Sequence, residues 1–244
     1  MHWGRVTVAD GVEERWFELH PAGRSVPGIL WTPPGAGGSR PLVLIGHGAS
    51  GNKREGYVLA LARRLVRDRG FAAAAIDGPV HGDRRSDGDA VPGLPFLEFS
   101  QVWSGDPTMT DGMVADWTHT LDALQAVEGV GKGPVGWWGL SMGTILGLPL
   151  VAAEERITAA VLGLMGLTGP SRERIAADAP RVRCPVLFLT QWNDELFSRE
   201  SAAELFDLLG TSDKRLLASM GGHGEVPTEA FVMSEQFLAS HLGG

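Results

Sequence analysis

Gly139-Leu140-Ser141-Met142-Gly143 has the spacing G-x-S-x-G. A buried apolar run, P-V-G-W-W, leads directly into it, and a helical stretch, Thr144–Ala153, follows. The turn between them must be sharp, and both glycines lack the Cβ that would collide in it. Such a turn lifts the Ser141 hydroxyl above the carboxyl end of a sheet. It also aims a helix N-terminus at any negative charge that develops there. A serine that merely capped a helix would not need a glycine two residues away on each side.

A serine hydroxyl is a poor nucleophile at neutral pH, so a base must take its proton and an acid must orient that base. On a strand–turn–helix scaffold the chain order is Ser, then Asp or Glu, then His. Two histidines lie late in the chain. His223 stands in G-G-H-G after the strand-like Arg215–Ser219, whereas His241 falls in the last helical turn and reads as a solvated end residue. The acid belongs in the exit loop of the preceding strand, Val186–Thr190, where Gln191-Trp192-Asn193-Asp194-Glu195 offers two carboxylates. Asp194 is the expected partner, because Asn-Asp is a turn dipeptide that holds a carboxylate near the sheet; Glu195 is the alternative.

Acyl chemistry also needs donors for the oxyanion. Ile45-Gly46-His47-Gly48-Ala49 ends a buried strand in a Gly-rich turn, so the N–H of Ala49 and that of Met142 form the expected pair. His47 in that turn is expected to bond nearby backbone and shape the loop. His81 and Asp83 do not share ligand spacing with His47, so a structural turn is expected there and no metal site. Cys184, before Pro185, reads as a small packed residue.

Taken together, the G-H-G loop, the G-L-S-M-G elbow, Asp194 and His223 resemble the α/β-hydrolase superfamily. Asp77-Gly78-Pro79-Val80-His81-Gly82-Asp83-Arg84 is similar to the D-x-P-x-H-G-x-R segment of small bacterial esterases related to dienelactone hydrolases and the prolyl-oligopeptidase catalytic domain. The resemblance spans Pro41 to Gly244, and the N-terminal strands more loosely. It implies a serine esterase working through an acyl-enzyme, with no cofactor and a small-molecule ester as substrate. Thioester hydrolysis or acyl transfer by the same residues is the alternative within enzymes. A ligand-binding protein with an idle site is the alternative outside them. Two features depart from the relatives. Dienelactone hydrolases carry cysteine at the elbow where this chain has serine, and the interval Gly166–Ala179 is too short for a helical cap. In such relatives the residue after H-G points at the acyl group and is often bulky; Ala49 implies an open acyl side.

The elements that must position these residues follow from periodicity. Arg5–Val8, Glu14–Leu19 and Gly28–Thr32 read as hairpin strands punctuated by Gly and Pro. Pro41–Ile45, Phe71–Ile76, Gly133–Gly139, Thr158–Leu164 and Val186–Thr190 are continuous apolar runs, typical of strands covered on both faces. Asn52–Arg69 and Asp111–Val127 are amphipathic helices between them. The expected fold is one α/β domain over residues 1–244, with a mostly parallel sheet, helices on both faces and an antiparallel N-terminal edge. Alternation sends Trp137 and Trp138 to opposite faces of the sheet. Gly82–Met109 lacks obvious periodicity and is expected as a long loop excursion that covers the site. Trp103 within it, and Trp192 beside the acid, are candidate pocket walls.

Composition sets the outer limits. The 244 residues carry 21 Lys+Arg and 29 Asp+Glu, a formal net charge of −8, which argues against nucleic acid as a partner. With 43% hydrophobic and 20% charged residues the chain has the make-up of a globular protein. A single cysteine cannot form an internal disulfide. No apolar run approaches the ~20 residues that span a bilayer, and Met1–Asp10 has no signal-peptide core. No membrane association and a cytoplasmic location are therefore expected.

Overall fold

The apolar runs form one sheet, and the amphipathic segments cover it. A computed structural model describes residues 1–87 and 91–243. The N-terminal strands are β1 (His2–Ala9), β2 (Val12–Leu19) and β3 (Val26–Thr32). They are joined antiparallel, with Asp10-Gly11 at positive φ (53° and 75°) turning the first hairpin. The remaining strands are β4 (Leu42–Gly46), β5 (Ala72–Ile76), β6 (Val135–Gly139), β7 (Ile157–Gly163), β8 (Val186–Gln191) and β9 (Lys214–Ser219). These six run parallel, and the sheet order is β1-β2-β3-β5-β4-β6-β7-β8-β9.

Helices α1 (Gly56–Arg69) and α7 (Thr228–Leu242) cover one face. The other face carries α3 (Met109–Gln125), α4 (Met142–Ala153), α5 (Arg172–Asp178) and α6 (Arg199–Leu208). The central strands β4, β5 and β6 are buried along their whole length, as their unbroken apolar runs require. Trp137 packs in the core under α3 and α4, and Trp138 in the core under α1 and α7, following strand alternation. After β4 the chain adds β5 on one side and later β6 on the other. That reversal opens a crevice beyond the carboxyl ends of β4 and β6, where ligands bind in open α/β sheets. No helix among the described residues is long and apolar enough to cross a membrane.

Two sequence expectations change. Within the segment 82–109 a helix, α2 (Leu94–Gly105), replaces the irregular loop; residues 88–90 lie outside the described residues. Its signal was present, since Phe96, Phe99 and Trp103 are three and four apart, but Gly93, Pro95 and Gly105 read as breakers. Pro95 sits in the first turn, where its missing N–H costs nothing. Helix α1 starts four residues later than its periodicity suggests, at Gly56, because the Lys53 N–H bonds the Asp77 carboxylate (3.0 Å) instead.

Candidate active site

Four loops at the carboxyl edge of the sheet meet in the crevice. The loop after β6 is the elbow: Ser141 has φ 57° and ψ −119°, and α4 begins at the next residue. A Cβ at Gly143 would lie 2.5 Å from the Gly46 carbonyl oxygen, and one at Gly139 would lie 2.7 Å from that of Gly143. Backbone occupies the space in both cases, so only glycine fits. The Ser141 N–H donates to the Gly163 carbonyl at 3.0 Å, which fixes the turn against β7.

Ser141 Oγ lies 2.9 Å from His223 Nε2, and His223 Nδ1 lies 2.8 Å from Asp194 Oδ2. The Asp194 side chain is 2% exposed, and its other oxygen accepts the N–H groups of Leu196 (2.8 Å) and Phe197 (3.0 Å). The carboxylate thus has one oxygen held by backbone and one presented to the imidazole. Glu195 does not reach the ring; it accepts the backbone N–H of His223 at 2.9 Å. That bond holds its exposed carboxyl below the usual glutamate range. The two carboxylates left open by the sequence therefore differ in what they grip, one the ring and the other the loop.

Among the described residues, no acceptor meets the N–H of Ala49 or of Met142. The Ala49 loop is clamped by His47, as its place in the turn suggests, and by Tyr57 and His81, which the sequence does not mark for it. Tyr57 Oη accepts the Gly48 N–H at 2.6 Å, and burial pushes this phenol up to about 12. His81 Nε2 lies 2.9 Å from the Ala49 carbonyl oxygen and its Nδ1 2.6 Å from that of Pro79. His47 donates from Nδ1 to the Gly48 carbonyl and accepts the Gly78 N–H at Nε2, both at 2.8 Å. Burial, reinforced by His81, lowers its pKa to about 3, so the ring stays neutral and shapes the loop.

Behind the loop, Lys53 Nζ bonds Asp77 (2.6 Å) and Asp83 (2.7 Å), with Lys53 3% and Asp77 0% exposed. Asp77 also accepts the Asp83 N–H at 2.8 Å, so one carboxylate ties the loop after β4 to the loop after β5. Removing one partner of a buried pair leaves an uncompensated charge. Lys53→Met is therefore expected to lower stability by ~3–5 kcal/mol. The denaturant midpoint measures this, and a shift within a few tenths of a kcal/mol would show that Asp77 needs no counter-ion.

Ser141 opens on two cavities. One of about 600 Å³ is lined by His223, Gly224, Val226, Tyr57, Trp138 and Phe231, among others. The other, about 250 Å³, is lined by Met142, Ile145, Phe99, Trp103, Thr168 and Phe197, among others. Ala49 and Phe96 border both. Trp103 lines the smaller cavity. Trp192 lines neither of the two; it is 41% exposed, with the Arg199 guanidinium 4.2 Å from its ring centroid. Phe99 and Trp103, which wall the smaller cavity beside Ala49, both come from α2, where the sequence suggests a loop.

A cold-adapted esterase from an Arctic intertidal metagenomic library, solved in a PEG-bound complex, is 42% identical over 99% of this chain and 100% of that one, with a TM-score of 0.88. This chain is an α/β-hydrolase. It is a carboxylesterase-like enzyme, similar over its whole described length to that esterase. An acetyl xylan esterase from Paenibacillus sp. R4 (20% identity, 98% of this chain and 88% of that one, TM-score 0.74) shares the hydrolase's fold. So does a dienelactone hydrolase from Anabaena variabilis (19%, 95% and 99%, TM-score 0.70). No family model and no curated protein matches the hydrolase.

Proposed function

We propose that the hydrolase cleaves carboxylic esters through a Ser141–His223–Asp194 triad and an acyl-enzyme. Ser141 Oγ attacks the ester carbonyl while His223 Nε2, 2.9 Å away, accepts its proton. Asp194 holds Nδ1–H of the ring at 2.8 Å and stabilises the imidazolium that forms. The amides of Ala49 and Met142 receive the oxyanion, and the N-terminus of α4 adds its dipole. The intermediate collapses, and the leaving alkoxide takes the proton from Nε2. Water then gives a proton to Nε2 and attacks the acyl carbon. The second intermediate releases the acid and returns the proton to Ser141.

The single observation that supports this reading is the continuous Ser141–His223–Asp194 hydrogen-bond chain beside two N–H groups that meet no acceptor among the described residues. The test is a purified enzyme with a simple ester, with acid and alcohol both quantified. Equal release of the two, without added metal or coenzyme, is expected. Alcohol release with the acyl group passed to an added amine or alcohol instead of water would make the enzyme a transferase.

A further inference from the structure

We infer that the hydrolase divides its site unequally, taking a short acyl group in the smaller cavity and a ring-bearing alcohol in the larger. This rests on the ester-hydrolase reading above. The assignment of sides follows from the proton. The leaving oxygen must come within hydrogen-bond reach of His223 Nε2 to be protonated. His223, Gly224 and Val226 line the 600 Å³ cavity and not the 250 Å³ one. The alcohol therefore lies in the larger chamber. The acyl group lies on the opposite side of Ser141, against Met142 and Ile145.

Size and wall chemistry then set the substrate class. The smaller cavity, 250 Å³, lies below the ~300–1,000 Å³ typical of ligand pockets. Its wall is fixed as well as small. Trp103 donates its indole N–H to Ser171 Oγ at 2.5 Å and stacks on Phe99 at 6.0 Å and 15°. The larger chamber, 600 Å³, falls within the ligand-pocket range. Tyr57 and Phe231, 6.3 Å apart, form its aromatic wall, backed by the buried Trp138, which stacks on Phe231 at 5.6 Å and meets Tyr57 at 6.0 Å. Ser50 and Glu55 add polar groups to its lining. A flat ring packs on such a wall by offset or edge contacts, which a linear alkyl alcohol cannot match. Esters of short acids with phenols or other ring alcohols fit both chambers.

The test compares kcat/KM along two axes in the wild-type enzyme. Phenyl and 2-naphthyl acetate have leaving groups of similar acidity, so their ratio reads the alcohol chamber. Naphthyl is expected to win by tenfold or more. Phenyl acetate, butyrate and octanoate read the acyl chamber, with octanoate at least tenfold below butyrate. Trp103→Ala removes the acyl wall and is expected to raise octanoate relative to acetate by about fourfold per methylene admitted, leaving the naphthyl-to-phenyl ratio in place. Val226→Phe is expected to lower that ratio and leave the acyl order in place. Wild-type preference for octanoate over butyrate, or for phenyl over naphthyl, overturns the division while the ester-hydrolase reading stands. So does a crossed response, in which Trp103→Ala changes only the alcohol ratio. No turnover of any of these esters overturns the ester-hydrolase reading, and the division with it. The wild-type series decides the matter even if a variant fails to fold.

Discussion

Ser141→Ala is expected to lower kcat by ~10⁵–10⁶-fold, the scale on which loss of a triad serine is felt. The fold should be untouched, because the hydroxyl bonds His223 Nε2 and the turn is held by backbone, through Ser141 N–H on Gly163. The oxyanion amides and the cavities also remain, so a residual rate above the uncatalysed reaction is expected from binding alone. The measurement is single-turnover kinetics beside a melting curve. An unchanged melting temperature with more than a few per cent of wild-type kcat would remove Ser141 from the role of nucleophile.

The second large effect separates two adjacent carboxylates. Asp194→Asn keeps the shape and one carbonyl oxygen, but its amide cannot accept from His223 Nδ1–H as the carboxylate does, and it favours the wrong tautomer. A loss of ~10⁴-fold in kcat is expected. Glu195→Gln should cost far less, because Glu195 bonds the backbone N–H of His223 and its replacement still offers a carbonyl oxygen there. Side-by-side kcat values decide, and a larger loss for Glu195→Gln would reverse the assignment.

The legibility of this site in the sequence was uneven, for physical reasons. The elbow could be read because two glycines four positions apart serve one steric purpose, and the collisions at Gly139 and Gly143 show what it is. The parallel core could be read because a strand buried on both faces leaves no polar position in runs such as Leu42–Gly46. Asp194 and Glu195 both lie in the right loop, and only the 2.8 Å contact to Nδ1 tells them apart. Tyr57 and His81 each reach the Ala49 loop through one hydrogen bond, to backbone 9 and 32 residues away, which no local pattern encodes. The same holds for Lys53, whose counter-ion Asp77 is 24 residues distant. Helix α2 shows a different failure. Its turn residues outweighed a genuine three-four spacing, so Trp103 could be named as a candidate wall but not Phe99, which the helix sets beside it next to Ser141.

The most direct measurement is covalent. A fluorophosphonate is attacked by an activated serine and mimics the tetrahedral intermediate, so it labels only where nucleophile, base and oxyanion donors work together. Wild-type protein should gain the mass of one phosphonyl group, with peptide mapping placing it on Ser141. Ser141→Ala should gain none, and Asp194→Asn should label far more slowly. An enzyme that hydrolyses esters yet stays unlabelled, or one labelled at another residue with Ser141 unmodified, would contradict a Ser141–His223–Asp194 mechanism.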